Sequence, residues 1–327
     1  KSADFAVKLL HITMKNLSSC HASRSEDFDL IRVSGPDAER FLQGQLSCDL
    51  RRATAEQSVR GTLCNLKGRV ISDLRVIRQE DADNVPVLYL LTRSGMAEVI
   101  LNTLSKYQVF FKVQLTRVTE THELIQLIAD DLDQLQSLIE SELPAAPDQI
   151  TTGPGHVIIR LPDLDAAPTR FEILLKREND QDRDDKAQFI SDRLQSECQP
   201  LDKNTWLSHD IRNGIVHIRP GQQELFTPQL LNYDLNGAVD FKKGCYTGQE
   251  VVARMHYRAE AKKRLGKVTL PAETPFSDLG LDEEKDLLIS ASRQDGRRDY
   301  LLIASTDAGR RDSRITLFTE TEASLGS

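Results

Sequence analysis

The residues best suited to chemistry in this sequence surround Cys245, whose thiol stands between Gly244 and Gly248. Because glycine lacks a side chain and tolerates positive φ, the backbone here can turn tightly and a ligand can approach the thiol closely. Lys242 and Lys243 come just before it, and cationic neighbours lower the pKa of a cysteine toward the reactive thiolate. The pattern favours a presented, reactive thiol. The alternative is a glycine–cysteine turn in a core, beside a solvated lysine pair.

The residues after Gly248 begin a strand or a helix with polar groups in its first turn. Gln249 and Glu250 supply an amide and a carboxylate there, and Val251 follows them. These side chains either hold a polar heterocycle or cap the element itself. We refer to the stretch Lys243–Glu250, KGCYTGQE, as the octapeptide.

Hydrophobic periodicity predicts interleaved strands and helices ahead of the octapeptide. Strands are predicted at residues 28–33, 62–64, 69–78, 87–91 and 109–118, and helices at 36–46 and 94–104. The first helix is expected to use Ser34 as its cap and Pro36 at its first position. In the strand 69–78, period two places Asp73 on the face opposite Val70, Leu74 and Val76. A loosely docked arm is predicted for residues 1 to about 24.

The middle and the end of the chain show two other patterns of predicted strands and helices. From about His122, the order strand, helix, strand, strand, helix is typical of a ferredoxin-like unit. A further helix carries Trp206, the single tryptophan, and ends at Asn213–Gly214. After about Lys263, short strands separated by turns favour a small β-barrel, at residues 266–270, 287–292, 300–304 and 314–318.

The octapeptide resembles the signature of the YgfZ family of folate-binding proteins, which are relatives of the glycine-cleavage aminomethyltransferase. The similarity continues in the family's order through FLQGQLSCDL, GTLCNLKGRVISDLRV, KYQVFFKV, WLSHDIRNGI and TPQLLNYDL. The resemblance implies an α+β, aminomethyltransferase-like folate-binding fold with ferredoxin-like units and a C-terminal β-barrel. The implied domains are a discontinuous folate-binding domain (1–120 and 201–262), a ferredoxin-like α+β domain (121–200) and a small β-barrel domain (263–327).

The resemblance also implies a site for tetrahydrofolate or a one-carbon derivative. The residues it assigns to folate binding are Phe28, Trp206, Gly244, Tyr246, Gln249, Glu250 and Arg254. Phe28 is equally well explained as a core strand residue. The anionic folate tail would meet a basic cluster, whose members could instead be solvated surface: Arg254, Arg258, Lys262, Lys263 and Arg264.

Two further positions bear on the reaction that the resemblance implies. Asp73 corresponds to an acidic position that the related aminomethyltransferases use near the reactive folate nitrogen, where a carboxylate relays a proton or orients the amine. Arg212 stands where the family often has an acidic residue, in a segment IEAG that reads IRNG here. This departure puts the usual recognition of the pterin edge in doubt and weakens the case for a transferase. Cys245 has no role in aminomethyl transfer, so it indicates accessory work on clusters or redox partners.

Composition and charge limit the classes of protein that fit. The net charge of −8 argues against a general nucleic-acid coat. The five cysteines, widely spaced and without CxxC, fit neither a disulfide framework nor a zinc site, which predicts a reducing cytosol. No histidine pair has ligand spacing, and His209 and His217 are interpreted as surface or core fillers. Apolar runs are too short to span a bilayer, and the N-terminus lacks a signal pattern. We therefore expect a soluble cytoplasmic protein without a resident metal.

The sequence and its resemblance together predict a tetrahydrofolate-binding accessory factor and not a classical transferase. It would support iron–sulfur cluster assembly or repair and thereby tRNA modification, with Cys245 as the functional thiol. Its expected partners are folate, iron–sulfur enzymes such as tRNA thiolases, and transient tRNA contacts. One alternative is a folate-dependent one-carbon transferase that uses Asp73. A second is a tRNA-binding module that uses the basic residues from Arg254 to Lys267. Cys64, at the end of a strand, is either a second thiol near Cys245 or a small buried hydrophobe.

Overall fold

The computed structural model describes residues 20–81, 85–164, 168–177, 185–258 and 261–323. The strands in these residues are β1 (Cys20–Ser25), β2 (Asp29–Ser34), β3 (Val59–Cys64), β4 (Val70–Glu80), β5 (Pro86–Thr92), β6 (Gln114–Arg117), β7 (His122–Ala129), β8 (Ile150–Gly153), β9 (His156–Arg160), β10 (Thr169–Lys176), β11 (Gln199–Pro200), β12 (Lys263–Pro271), β13 (Leu287–Ser292), β14 (Arg297–Ser305) and β15 (Thr316–Leu317). The α-helices are α1 (Ala38–Gln43), α2 (Ala97–Gln108), α3 (Leu132–Ile139), α4 (Asp185–Glu197), α5 (Lys203–Arg212), α6 (Gln249–Arg258), α7 (Glu283–Asp286), α8 (Ala308–Arg311) and α9 (Glu320–Ala323). Short 3-10 helices occur at Leu50–Arg52, Thr119–Thr121, Pro228–Leu231 and Phe276–Leu279.

The described residues form two compact units. The first contains the described residues up to Glu26 together with Glu120–Asp202, and the second contains Asp27–Thr119 together with the described residues from Lys203 onward. The division into three domains remains a prediction.

The first unit is a sheet with the strand order β11-β1-β7-β10-β9-β8. Residues from helices α3 and α4 pack with the sheet in one core, around side chains such as Leu127, Phe171 and Ile190. Helix α3 is capped by Asp131, whose carboxylate accepts a hydrogen bond from the backbone N–H of Gln134 at 2.9 Å. From β7 onward the order is that predicted for a ferredoxin-like unit with one strand added, since β8 precedes β9 and β10 between the two helices.

The first unit also corrects two expectations. Cys20–Ser25 is the paired strand β1, so the arm predicted over the first 24 residues is wrong from Cys20 onward, and its earlier part lies outside the described residues. Cys20 and Cys198 form a disulfide with their Cα atoms 5.1 Å apart. The prediction that the cysteines fit no disulfide is therefore wrong. Spacing carried no signal for this bridge, because 178 residues separate the two positions.

The second unit contains the antiparallel sheet β3-β4-β5-β2-β6. Residues of α1 and α2, such as Phe41 and Ile100, share a core with apolar residues of this sheet. The interior strand β4 is buried on both faces, since Val76 and Ile77 are both fully buried. This burial makes the position of Asp73 internal, and it explains why a polar residue there needs partners.

Two element boundaries in this sheet differ from the predictions. Helix α1 begins at Ala38 after Asp37, and not after Ser34, which ends β2. The Asp37 carboxylate does not cap the helix; it accepts a hydrogen bond from the backbone N–H of Lys112 at 2.8 Å. The long strand predicted at 109–118 is only β6, because helix α2 continues to Gln108 and leaves Phe110 exposed.

The C-terminal strands form a second sheet in this unit, with the order β13-β14-β12-β15. It has its own apolar cluster, which includes Leu270, Phe276, Tyr300 and Leu302. Each short strand predicted after Lys263 overlaps one of these four strands.

Candidate functional site

The octapeptide is a loop that leads directly into a helix. Gly248 has φ +84°, a value that glycine adopts at little cost. Helix α6 then begins at Gln249, and the N–H of Val252 donates to the carbonyl of Gly248 at 3.2 Å. The alternative between a strand and a helix after Gly248 is thus settled in favour of a helix.

Lys243 holds this loop in place from inside. Its side chain is buried, and Nζ donates hydrogen bonds to three backbone carbonyls, those of Gln43 at 2.8 Å, Leu46 at 2.6 Å and Cys48 at 2.8 Å. Burial lowers the pKa of Lys243, while the nearby Cys48, Asp49 and Asp240 oppose that effect. The interpretation of a solvated lysine pair is therefore wrong for Lys243. Lys242 is exposed, as that interpretation expects.

Further hydrogen bonds join the octapeptide region to the segment FLQGQLSCDL, residues 41–50. The N–H of Thr247 donates to the carbonyl of Gly44 at 3.2 Å, and its hydroxyl donates to the Gln45 side chain at 3.1 Å. The N–H of Asp240 donates to the carbonyl of Ser47 at 2.9 Å. Together with Lys243, these contacts make the two segments one framework.

The start of α6 lies on the turn between β3 and β4. The Asn65 side chain closes this turn by accepting from the N–H of Lys67 at 2.9 Å. A Cβ placed on Gly248 would be only 2.4 Å from the carbonyl oxygen of Asn65. A Cβ placed on Gly68 would be 3.0 Å from the Cβ of Val251. The glycines therefore permit a close approach of α6 to the turn.

Cys245 is exposed on this fixed loop. Its neighbour Gly244 is open as well, since a Cβ there would meet nothing within 4 Å. The other two free thiols are buried. Burial raises the pKa of Cys48 to about 12 and that of Cys64 to about 11. Of the two alternatives for Cys64, the structure shows the small buried hydrophobe. An approach of Cys64 to Cys245 remains a prediction.

Asp73 carries the second group of contacts. Its carboxylate accepts hydrogen bonds from Nδ1 of His217 at 2.6 Å and from the backbone N–H of Ile218 at 2.7 Å. Burial alone raises the pKa of Asp73, but the charge and hydrogen bond of His217, the N–H of Ile218 and the charge of Arg93 outweigh it, so the pKa lies below its ordinary value. The structure therefore holds Asp73 as a carboxylate.

His217 is the residue that sequence reasoning missed. It was expected to be a surface or core filler, and the structure gives it a specific polar partner. No spacing pattern could have shown this pair, because 144 residues separate His217 from Asp73. The alternation that turns Asp73 away from Val70, Leu74 and Val76 was the only available signal.

Tyr233 is a buried residue within electrostatic range of Asp73. Its hydroxyl donates to the carbonyl of Val216 at 2.8 Å. Burial raises its pKa, the charge of Asp73 raises it further, and Arg60 and Arg93 oppose this. Tyr233 thus lies within electrostatic range of one carboxylate and two guanidinium groups.

Three buried polar side chains in the same unit lack a hydrogen-bond partner among the described residues. They are Tyr246 through its hydroxyl, Asn232 through both ends of its amide, and Thr227 through its hydroxyl. Asn232 also has φ +55°, which is uncommon outside glycine. Buried polar groups are usually paired. These atoms therefore indicate places where a polar ligand could form hydrogen bonds.

The remaining predicted residues are placed as follows. Phe28 and Trp206 are both buried, at 6% and 3% exposure. For Phe28, this burial agrees with the alternative of a core strand residue. Gln249 is half-buried, whereas Glu250 and Arg254 are exposed on α6.

Part of the predicted basic cluster is neutralised by carboxylates. Lys263 pairs with Asp286 at 2.8 Å, and Arg264 pairs with Asp234 at 2.6 Å. Within the described part of the chain, no group of three or more histidine, cysteine or acidic residues is arranged to hold a metal ion. No helix there is both long and apolar enough to cross a membrane.

The stability of this unit should depend on pH through Asp73. The folded pKa lies below the ordinary 3.8. The carboxylate therefore contributes stability above that value, and this contribution is lost as the pH falls through the folded pKa. We expect Asp73→Asn to be less stable than the parent at neutral pH, with the difference shrinking below about pH 4. Urea unfolding of both proteins across this range measures it, and a difference that is constant with pH would contradict the assignment.

Comparisons with known proteins give the chain its relatives. It is 30% identical over 240 residues to the tRNA-modifying protein YgfZ of Klebsiella pneumoniae (strain 342), covering 73% of this chain and 68% of that protein. It is 29% identical over 240 residues to the protein of the same name from Shigella sonnei (strain Ss046), covering 73% and 69%. No protein-family model matches the chain.

Among solved structures, the glycine cleavage system aminomethyltransferase T from Bartonella henselae is similar with a TM-score of 0.64 and 16% identity. The match covers 90% of this chain and 81% of that one. The chain is therefore an α+β protein with an aminomethyltransferase-like fold. Within that class, the chain belongs to the YgfZ family.

Proposed function

We propose that this protein is a cytoplasmic, tetrahydrofolate-binding accessory factor that supports iron–sulfur cluster assembly or repair in other enzymes, and through them tRNA modification such as thiolation. The observation that carries the proposal is the exposed Cys245 on a loop fixed by the buried Lys243. Relatives named tRNA-modifying proteins support the connection to tRNA. The aminomethyltransferase-like fold supports folate as the ligand.

A reduced pterin would find polar partners in the interior of the second unit. A pterin presents donors and acceptors along its edge, and the unsatisfied atoms of Tyr246, Asn232 and Thr227 are suited to meet them. Asp73, held ionised, would accept from a ring N–H. Phe28 would supply an apolar wall. Bound tetrahydrofolate or its one-carbon derivative would supply amine nitrogens that carry a one-carbon unit.

The rest of the predicted folate site is proposed from the resemblance to the family. Trp206 would form part of the apolar wall, and Gly244 leaves room beside the thiol. Gln249, Glu250 and Arg254 lie on α6, where they would meet the polar linker and tail.

The role proposed for Cys245 is that of a temporary ligand. Cysteine thiolates are the usual ligands of iron–sulfur clusters. A single exposed thiol can donate to an iron atom of a cluster in transit, and the cluster is then cargo and not a resident cofactor. The buried Cys48 and Cys64 are unsuited to this role, because their burial disfavours the thiolate.

The one-carbon transferase is the second candidate, and the Asp73–His217 contact is the observation that favours it. A carboxylate that relays protons works best when its pKa lies near the working pH. The pKa of Asp73 is shifted away from neutrality. Asp73 is thus better suited to anchor a ligand than to shuttle protons, which favours the accessory role.

Complementation separates the two functions. In cells that lack the protein, we expect Cys245→Ala to fail to restore the activity of an iron–sulfur tRNA thiolase. Asp73→Asn should be much milder, because asparagine keeps a side-chain oxygen that can accept from the ring N–H. Protein levels measured by immunoblot serve as the control. Full rescue by Cys245→Ala together with loss in Asp73→Asn would instead support transfer chemistry.

The folate part of the proposal has its own measurement. Titration of the purified protein with tetrahydrofolate derivatives should give a saturable change in Trp206 fluorescence, for the parent and for Cys245→Ala alike. A protein that responds to none of these folates would contradict the proposed ligand, whatever the complementation shows.

A further inference from the structure

An open cavity of about 420 Å³ lies between helix α5 and the C-terminal sheet of the second unit. Its volume is within the range of ligand sites in proteins. The charged residues that line it are Arg212, Lys267, Arg293, Arg297, Arg314 and Asp299. It thus carries five cations and one carboxylate in a protein whose net charge is −8.

Carboxylates lie close to three of the five cations and reduce their effective charge. Glu322 lies within electrostatic range of Lys267. Arg314 pairs with Asp312, its Nε lying 2.9 Å from a carboxylate oxygen. Arg293 lies 3.1 Å from Asp295 and 3.7 Å from Asp299.

Arg212 and Arg297 keep more of their positive charge. Among the described residues, no carboxylate forms an ion pair with either of them, and both side chains are exposed. Lys267 adds a third cation beside them, since its Nζ donates to the backbone carbonyl of Arg212 at 2.8 Å. The cavity therefore has a local excess of positive charge at its mouth.

The side chains in the cavity indicate the kind of anion that fits. Guanidinium groups bind phosphate oxygens through two parallel hydrogen bonds. The described residues that line the cavity include no aromatic side chain, so they lack the usual platform on which a base or a pterin stacks. The chemistry of such a site favours a charged phosphate backbone.

We propose that this cavity binds consecutive phosphate groups, either those of an RNA strand or those of a free nucleotide polyphosphate. The residues that bind are Arg212 and Arg297, with Lys267 and Arg293 beside them. None of the lining residues belongs to the folate site proposed above. Arg212, which stands where the family often has an acidic residue, thereby acquires a role of its own.

The test measures the binding of a short, fluorescein-labelled single-stranded RNA by fluorescence anisotropy over a series of salt concentrations. The double variant Arg212→Gln/Arg297→Gln should weaken binding on the order of tenfold at low salt, since each substitution removes a charge-assisted hydrogen bond. The slope of log affinity against log salt should also fall by about 1.4, or roughly 0.7 for each phosphate that is no longer neutralised. A merely structural role would leave this slope unchanged.

The matched control is Lys106→Gln/Arg310→Gln, which removes two positive charges from exposed positions outside the cavity. It should keep the affinity and the slope of the parent. Equal losses of affinity in both double variants would overturn the proposal, as would a parent that binds neither RNA nor inorganic triphosphate.

Competition identifies the source of the phosphates. RNA binding that triphosphate displaces supports a site shared by both, and triphosphate binding without RNA binding assigns the site to a free nucleotide. Displacement of RNA by a poly-glutamate peptide as effectively as by triphosphate would overturn the assignment to phosphate. None of these outcomes depends on the folate titration.

Discussion

Lys243→Met is expected to lower the free energy of unfolding by about 3 kcal/mol, because it removes a donor that three backbone carbonyls share. Methionine keeps most of the side-chain volume, so the change reports mainly on the hydrogen bonds. The carbonyls of Gln43, Leu46 and Cys48 would then have to find water or remain unpaired. Urea denaturation followed by circular dichroism measures the loss of stability.

The neighbouring residue supplies the control for this substitution. Lys242 is exposed, so Lys242→Met should change the stability by no more than about 0.5 kcal/mol. If the two variants unfolded at the same urea concentration, Lys243 would not be the anchor of the octapeptide. The comparison is sharp because the two lysines are adjacent and chemically identical.

Gly248→Ala is expected to cost about 3 kcal/mol, for two reasons that add. The backbone at Gly248 has φ +84°, where an L-residue is disfavoured by roughly 1–2 kcal/mol. The new Cβ would also lie 2.4 Å from the carbonyl oxygen of Asn65, which is backbone and cannot rotate away. Helix α6 would have to move off the turn between β3 and β4. Chemical denaturation should show a lower midpoint.

Gly244 provides the matched control for the substitution at Gly248. A Cβ there meets no atom within 4 Å, and its φ is not in the positive range. Gly244→Ala should therefore stay within about 0.5 kcal/mol of the parent. Equal costs at the two positions would mean that neither the positive φ nor the contact with Asn65 governs the stability of the loop.

Local patterns predicted the elements that hold the site. Alternation along residues 69–78 identified strand β4 and turned Asp73 away from Val70, Leu74 and Val76, which proved to be buried. The turn at Asn65–Gly68 followed from its residue types. These features depend on neighbours within a few positions, which is the range over which side-chain periodicity carries information.

The contacts that define the site could not be predicted in the same way. Lys243 reaches carbonyls about 200 residues earlier in the chain, and His217 reaches back to Asp73. Lys243 was interpreted as a cationic neighbour of Cys245 or as a solvated lysine, and His217 as a surface or core filler. Tertiary packing decides which partner a polar side chain contacts, and local patterns in one sequence do not predict that packing.

The first unit is built from two separate stretches of the chain, and this affects folding during synthesis. Strand β1 ends at Ser25, yet its antiparallel partner β7 begins at His122, so nearly a hundred residues are translated between them. At the usual ribosomal rate of about 5–20 residues per second, β1 emerges roughly 5–20 seconds before β7 exists. During that interval the intervening residues of the second unit can begin to collapse, while the nascent β1 still exposes an unpaired edge. The bridge between Cys20 and Cys198 closes later still, so it can only lock a topology that vectorial synthesis has already selected.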